Sequence, residues 1–387
     1  VMQRLLLVGS TRAAAPVTRN VSKHLVRNVT SMSLRYQKYG SPSNVLTAES
    51  EDVPNPTGSQ VLLRILAAPV NPADFEAIKG TYGKLQSLPA TAGLEGVAVV
   101  EAVGDNVKGL KPKQRVIPAL PGFGTWRTHA VCDESDVMPI AEDIPVEVAA
   151  TLSVNPCTAY RLLNDFVDLK AGDVVIQNCS SSMVGQAVIQ LCKARGIKTM
   201  NVIRDDSVEV TNTQSILQNL GGDMVLRESA LRDSAFQDVL KEVGSPKLAL
   251  NGAGGDSCRE LARLLGDGGK MVTYGGMSRA AVTLPTGPFI FRDISCHGFW
   301  MTRWVETHSR EERAAMLNEL TDLVRKGDLV FPLLLTLPFS AHEEALARAT
   351  HVVNKHKIVM DMDPNATFPD PAQEALAAYK ADRAAAQ

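Results

Sequence analysis

Between Pro145 and Gly276 short apolar runs alternate with stretches of helical spacing, and this alternation restricts the fold more than any other feature of the chain. VVIQN (174–178), KTMNVI (198–203), DMVL (223–226), LALNGAGG (248–255) and KMVTYGG (270–276) are strand-like. Helical patterns such as VGQAVIQLCKARG (184–196) and RELARLLGDGG (259–269) separate them. Strands joined by helical crossovers run parallel, and continuous apolar strands must be covered on both faces. The pattern therefore predicts an α/β fold with a doubly wound parallel sheet.

The stretch before it differs. VLLRILAAPV (61–70), GVAVVEAV (96–103), RVIPAL (115–120) and WRTHAVC (126–132) read as short strands joined by Pro and Gly turns, which suggests a partly open barrel or sandwich. Ser309 and Glu312 have capping-box spacing for a helix running to Lys326, with Gly327 placed as a left-handed C-terminal cap. Ser340 and Glu343 repeat the device ahead of KIVMDM (357–362), a last strand that returns to the first domain.

The loop NCSSSMVG (178–185) joins the first strand of the alternating region to a helix. A strand end, inward-facing amides and a helix N-terminus form a natural pyrophosphate cradle. Ser180, Ser181 and Ser182 supply hydroxyls, and Gly185 lets the helix start close to the strand, but Met183 stands where such loops normally carry glycine. Roughly twenty residues further on, the second strand ends in Arg204, and a basic residue there suits a ribose 2′-phosphate better than a 2′-hydroxyl. Asp205 and Asp206 follow and leave open whether a carboxylate turns inward.

Before Glu49 the chain has no acidic residue but carries Arg4, Arg12, Arg19, Lys23, Arg27, Arg35 and Lys38 among many Ser, Thr, Val and Leu. Such a segment has the composition of a mitochondrial transit peptide, and residues 1–31 are expected to form it. A net charge of -2 gives no global attraction to nucleic acid, and the absence of a long apolar run argues against a membrane span. The six scattered cysteines form neither a CxxC pair nor a Cys/His cluster, so free thiols are expected instead of disulfides or structural zinc.

NPADFEAIKGTYG (71–83), AGLEGVAVVEAVGDNVKGLKP (92–112), GFGTWRTHAV (122–131), TLSVNPCTAYRLLNDF (151–166), MVTYGGM (271–277) and GFW (298–300) strongly resemble the mitochondrial trans-2-enoyl-CoA/enoyl-ACP reductases of the medium-chain dehydrogenase/reductase superfamily. The resemblance runs from about residue 35 to Met362. It implies a GroES-like, partly open β-barrel catalytic domain (32–152 plus 300–362), a Rossmann cofactor domain (153–299) and a C-terminal extension (363–387) outside the family pattern.

The same resemblance implies an NADPH-dependent reduction in the mitochondrial matrix, with hydride going to the β-carbon of an enoyl thioester of CoA or acyl carrier protein and a proton to the α-carbon. Tyr82 corresponds to the catalytic tyrosine, with Trp300 beside the acyl pocket. A phenol, protonated at neutral pH, can donate to developing negative charge. Asn155, Ser181, Ser182, Met183, Val184, Arg204, Asp205, Asp206, Tyr274, Gly275, Gly276, Met277, Phe299, Trp300, Met301, Thr302 and Lys357 match cofactor-contacting positions.

No metal is expected, because Gly93-Leu94-Glu95 places leucine where zinc-dependent members of the superfamily carry histidine. The superfamily usually dimerises through sheet edges, and FIFRDISCHGF (289–299) fits an edge strand. Met183 and the extension leave a second reading open, a weakened homologue serving as a structural or accessory subunit of a larger mitochondrial assembly. A quinone or alkenal reductase is a third.

Overall fold

The computed structural model describes residues 29–205, 210–350 and 356–365. Most of the expected leader, residues 1–28, lies outside that range, as do Asp206 and all but the first residues of the C-terminal extension.

Six parallel strands form one half of the molecule. In chain order they are Val174–Gln177, Lys198–Ile203, Met224–Arg227, Leu248–Asn251, Lys270–Thr273 and Ser295–Gly298. In space they run third, second, first, fourth, fifth, sixth. The order reverses between the first and fourth strands, and a doubly wound sheet opens its ligand crevice at that point. All four residues of the first strand are buried, as are Met183 to Cys192 of the following helix, Met183–Ala194. This explains why both segments read as nearly unbroken apolar runs.

The other half is built on Gln60–Pro69. One edge of this strand pairs antiparallel with Val97–Val103, and the remaining pairings are with His129–Asp133 along its first part and Lys357–Asp361 along its last. Register shifts at Leu62/Leu63 and Ile65/Ala67 bend it. Bulges of this sort let a strand turn a barrel corner. Arg115–Pro118 and Val137–Pro139 continue the sheet, and Leu334–Pro338 joins Lys357–Asp361 in parallel. The last strand thus returns to the first domain as expected.

Three local expectations need correction. The strand Val29–Tyr36 takes in residues 29–31, assigned above to the leader: Ser31 pairs with Glu51, is fully buried and donates its hydroxyl to the His129 carbonyl. The proposed edge strand is only half strand, since Thr286–Phe291 is a short helix ahead of Ser295–Gly298. The capping box at Ser309 forms, with Gly327 at a φ of 76°. The one at Ser340 does not, because Ser340 lies inside a 3-10 turn, Phe339–Ala341.

One hydrophobic cluster runs through both halves, from Ala67, Val97 and Ile117 of the barrel to Leu191, Val272, Met316 and Leu320. No helix among the described residues is long and apolar enough to cross a membrane.

Candidate active site

At the switch point the two central strands are tied together by their own side chains. Asn178 Nδ2 donates to Asn251 Oδ1 at 2.9 Å, and Asn178 Oδ1 accepts from the Gly252 amide at 2.7 Å. Ser182 caps the helix Met183–Ala194, its hydroxyl accepting from the Gly185 amide at 3.1 Å. A Cβ on Gly185 would lie 2.5 Å from the Ser180 carbonyl oxygen, so only glycine lets helix and loop pack this closely. Met183 opens the helix with a side chain only 7% exposed, its bulk packed into the protein. The amides of Met183 and Val184 have no acceptor within the helix and are available to an anion.

Tyr274, in the turn after Lys270–Thr273, lies over Gly252, where a Cβ would fall 2.9 Å from its hydroxyl. That hydroxyl is buried and has no partner among the described residues. Capped helix, close-packed glycines and an orphaned hydroxyl fit a dinucleotide. Gly275, Gly276 and exposed Met277 complete the turn, with the Met277 amide donating to the Gly252 carbonyl. At the end of the second strand, the carboxylate of Asp205 accepts from the amide and hydroxyl of Ser229 at 3.1 and 2.7 Å. It is therefore committed to a neighbouring turn, and Arg204 stands exposed at the strand end.

Tyr82 approaches from the barrel side. The helix Pro72–Lys79 stops at Gly80, whose φ of 78° admits the left-handed turn, and the amides of Thr81 and Tyr82 fold back onto the Glu76 carbonyl. The turn aims Tyr82 at the start of the helix Met301–Thr307. Trp300 Nε1 donates to the Tyr82 hydroxyl at 2.8 Å, and the rings meet edge to face with centroids 5.4 Å apart. The Thr302 hydroxyl lies 3.1 Å from the same oxygen. Gly83 completes the contact, since a Cβ there would sit 3.1 Å from the indole. Phe299 holds the segment to the parallel sheet through its amide and the Thr273 carbonyl.

Beneath Tyr82 runs a seam of buried polar groups. Asp74 accepts from the amides of Asn71 and Leu94 at 2.6 and 2.8 Å. Glu95 accepts from Asn71 Nδ2, the Ser153 hydroxyl and the Val154 amide at 3.0, 3.1 and 2.7 Å. Asn71 Oδ1 in turn accepts from Asn155 Nδ2 at 3.2 Å and from Lys357 Nζ, which also donates to the Val70 carbonyl. Burial pushes Asp74 up to about 7, raises Glu95 and lowers Lys357 to about 8. Among the described residues no three His, Cys, Asp or Glu side chains converge as a metal site requires.

Tyr82, Met301 and Thr302 line one cavity with Asn71, Leu94, Ser153 and Arg313. The structure thus brings Tyr82, Trp300 and Thr302 to one place, while Asn155 and Lys357 both reach it through Asn71. Asp74 and Arg313 escape a reading of the sequence. Asp74 looks like an ordinary helix-start acid, whereas Arg313 carries a usable signal: it falls on the same helical face as Met316, Leu317 and Leu320.

The alcohol dehydrogenase GroES-like domain matches residues 57–142, and the zinc-binding dehydrogenase family matches residues 184–322. The chain is 46% identical over 348 residues to the mitochondrial enoyl-acyl-carrier-protein reductase of Dictyostelium discoideum, covering 89% of this chain and 99% of that protein. It is 43% identical over 330 residues to the human protein of the same name, covering 85% and 88%. A solved complex of Etr1p with NADP and crotonyl-CoA superposes with a TM-score of 0.81 at 30% identity, covering 86% of this chain and 100% of that one. The heterodimeric mitochondrial 2-enoyl thioester reductase of Candida tropicalis gives 0.80 at 30% identity, with 86% and 100% coverage.

Proposed function

The chain belongs to the mitochondrial enoyl-acyl-carrier-protein reductases, and on that premise we propose how its own residues carry the reaction. It is an NADP(H)-dependent oxidoreductase that reduces trans-2-enoyl thioesters to acyl thioesters in mitochondrial fatty acid synthesis. When bound, NADPH supplies the hydride that the β-carbon receives. Ser182, the Met183 and Val184 amides and Tyr274 hold the dinucleotide, and Arg204 selects its 2′-phosphate.

The proton side of the reaction rests on Tyr82. An indole N–H only donates, so the Tyr82 oxygen must accept from Trp300. Thr302 shares a hydrogen bond with the same oxygen, and in the arrangement where Thr302 donates, the phenol's own O–H is left for the substrate. The incoming electron pair of the hydride moves the alkene electrons toward the thioester carbonyl, and the α-carbon then takes one proton from the Tyr82 side. Asn71, Glu95 and Asn155 keep the floor of the site in place.

The single observation carrying this reading is the Trp300–Tyr82 hydrogen bond at the wall of the cavity. Its test is NADPH oxidation with a medium-length trans-2-enoyl-CoA. Tyr82→Phe is expected to lose about 10²- to 10⁴-fold in kcat/KM, with NADPH affinity retained. Full activity in the variant removes Tyr82 from the chemistry, and a wild-type chain that neither binds NADPH nor turns over removes the reading itself.

The matrix is the proposed compartment, supported by the basic, acid-free segment at the start of the sequence. A homodimer is proposed through the edge strand Ser295–Gly298 and the neighbouring exposed Phe289, Ile290 and Phe291. An apolar group of this kind beside an open sheet edge favours a symmetric partner.

A further inference from the structure

The helix Met301–Thr307 holds two threonines that use their hydroxyls differently. Thr307, in its last turn, bonds back to the Arg303 carbonyl at 2.8 Å, as threonines inside helices commonly do. Thr302 has no such carbonyl, because four residues before it the chain is still in the strand Ser295–Gly298. Its side chain turns to the barrel half instead. Among the described residues its only hydrogen-bond partner is the Tyr82 oxygen, 3.1 Å away.

Two hydroxyls share that bond, and burial decides which of them donates. Both residues line the cavity, but Thr302 is 5% exposed whereas Tyr82 is half-buried. If Tyr82 donates, the spare O–H falls on Thr302, which offers it no acceptor among the described residues. If Thr302 donates, the spare O–H is the phenol's own, at the more open position. An unmet donor costs more the deeper it lies, so the second arrangement is favoured.

We propose that Thr302 is a positioning residue for proton delivery: its hydroxyl donates to Tyr82 and turns the phenol O–H into the cavity. This rests on the role given to Tyr82 above. When the α-carbon takes the proton, a C–H bond forms, the phenol O–H bond breaks and its electron pair stays on the Tyr82 oxygen. Thr302 and Trp300 then both donate to the phenolate until water returns the proton.

The test uses the full-length chain with a medium-length trans-2-enoyl-CoA. Thr302→Val, which keeps the shape and removes the hydroxyl, is expected to lose about 10- to 100-fold in kcat, with NADPH affinity and KM little changed and a larger solvent deuterium isotope effect. Thr302→Ser is expected to restore most of the rate. In a Tyr82→Phe background the valine substitution should slow turnover no further, since the two side chains act as one unit. A threonine that serves only packing gives the opposite order, with valine tolerated and serine defective, and overturns the proposal. Loss of NADPH binding in Thr302→Val, or an equal loss with and without Tyr82, overturns it as well. If Thr302→Val does not fold, Thr302→Ala carries the same comparison. Full activity of Tyr82→Phe removes the reading of the site and this inference with it, whereas collapse of Tyr82→Phe beside an unchanged Thr302→Val removes the inference alone.

Discussion

Two groups of buried charge lie near one cavity and are satisfied to opposite extents. In the seam, Asp74, Glu95 and Lys357 share seven hydrogen bonds with Asn71, Val70, Leu94, Ser153 and Val154, so nearly every donor has an acceptor. Arg313 has a single bond and a bare Nε. A saturated network resists rearrangement and serves as a foundation.

The sharpest way to break this contrast is to remove one member of each group. Glu95→Leu leaves three buried donors without an acceptor and should cost about 3–5 kcal/mol in urea unfolding. Arg313→Leu loses one hydrogen bond and relieves a desolvated charge, so its stability should change by less than about 1 kcal/mol. Equal losses would show that Arg313 is as structural as the seam.

The same seam should also respond to pH. Asp74 is raised by burial to about 7 from 3.8, so between those values the folded chain holds a proton the unfolded chain has released, and stability falls as pH rises. Lys357 is lowered by burial to about 8 from 10.5, so above pH 8 the unfolded chain holds the extra proton and stability rises again. Each limb has a limiting slope of about 1.4 kcal/mol per pH unit. The seam therefore contributes least between pH 7 and 8. Asp74→Asn should flatten the acid limb in a series of unfolding midpoints, and an unaltered limb would move the effect elsewhere.

A local effect lies in the cofactor loop, where the polar groups are few and short-range. Ser182→Ala removes one helix cap and should cost about 1 kcal/mol, read as a shift in melting temperature, together with weaker NADPH binding. No change in either would leave the loop to its backbone alone.

What is legible in the sequence follows the same division between local and distant. The strand-helix alternation, the box at Ser309 and the Gly80 turn are short-range, and periodicity or spacing exposes them. The helix at Thr286–Phe291 defeats the pattern because an apolar run that short satisfies either period. Tyr82 is singled out by resemblance, since composition alone makes a tyrosine between glycines a loop residue. Thr302, expected near the cofactor, also touches the Tyr82 hydroxyl. The Asp74–Glu95–Lys357 seam has no local signature at all, because its parts come from segments that only the folded chain brings together.

The hydrogen bond from Trp300 to Tyr82 spans 218 residues, and that from Lys357 to Asn71 spans 286. A ribosome delivers the phenol long before the indole that orients it, and the floor beneath both is not tied down until the final strand is added. A nascent or clipped chain lacking that strand can already present its tyrosine and still be inert. Closure of the floor therefore depends on the segment through Asp361 being in place.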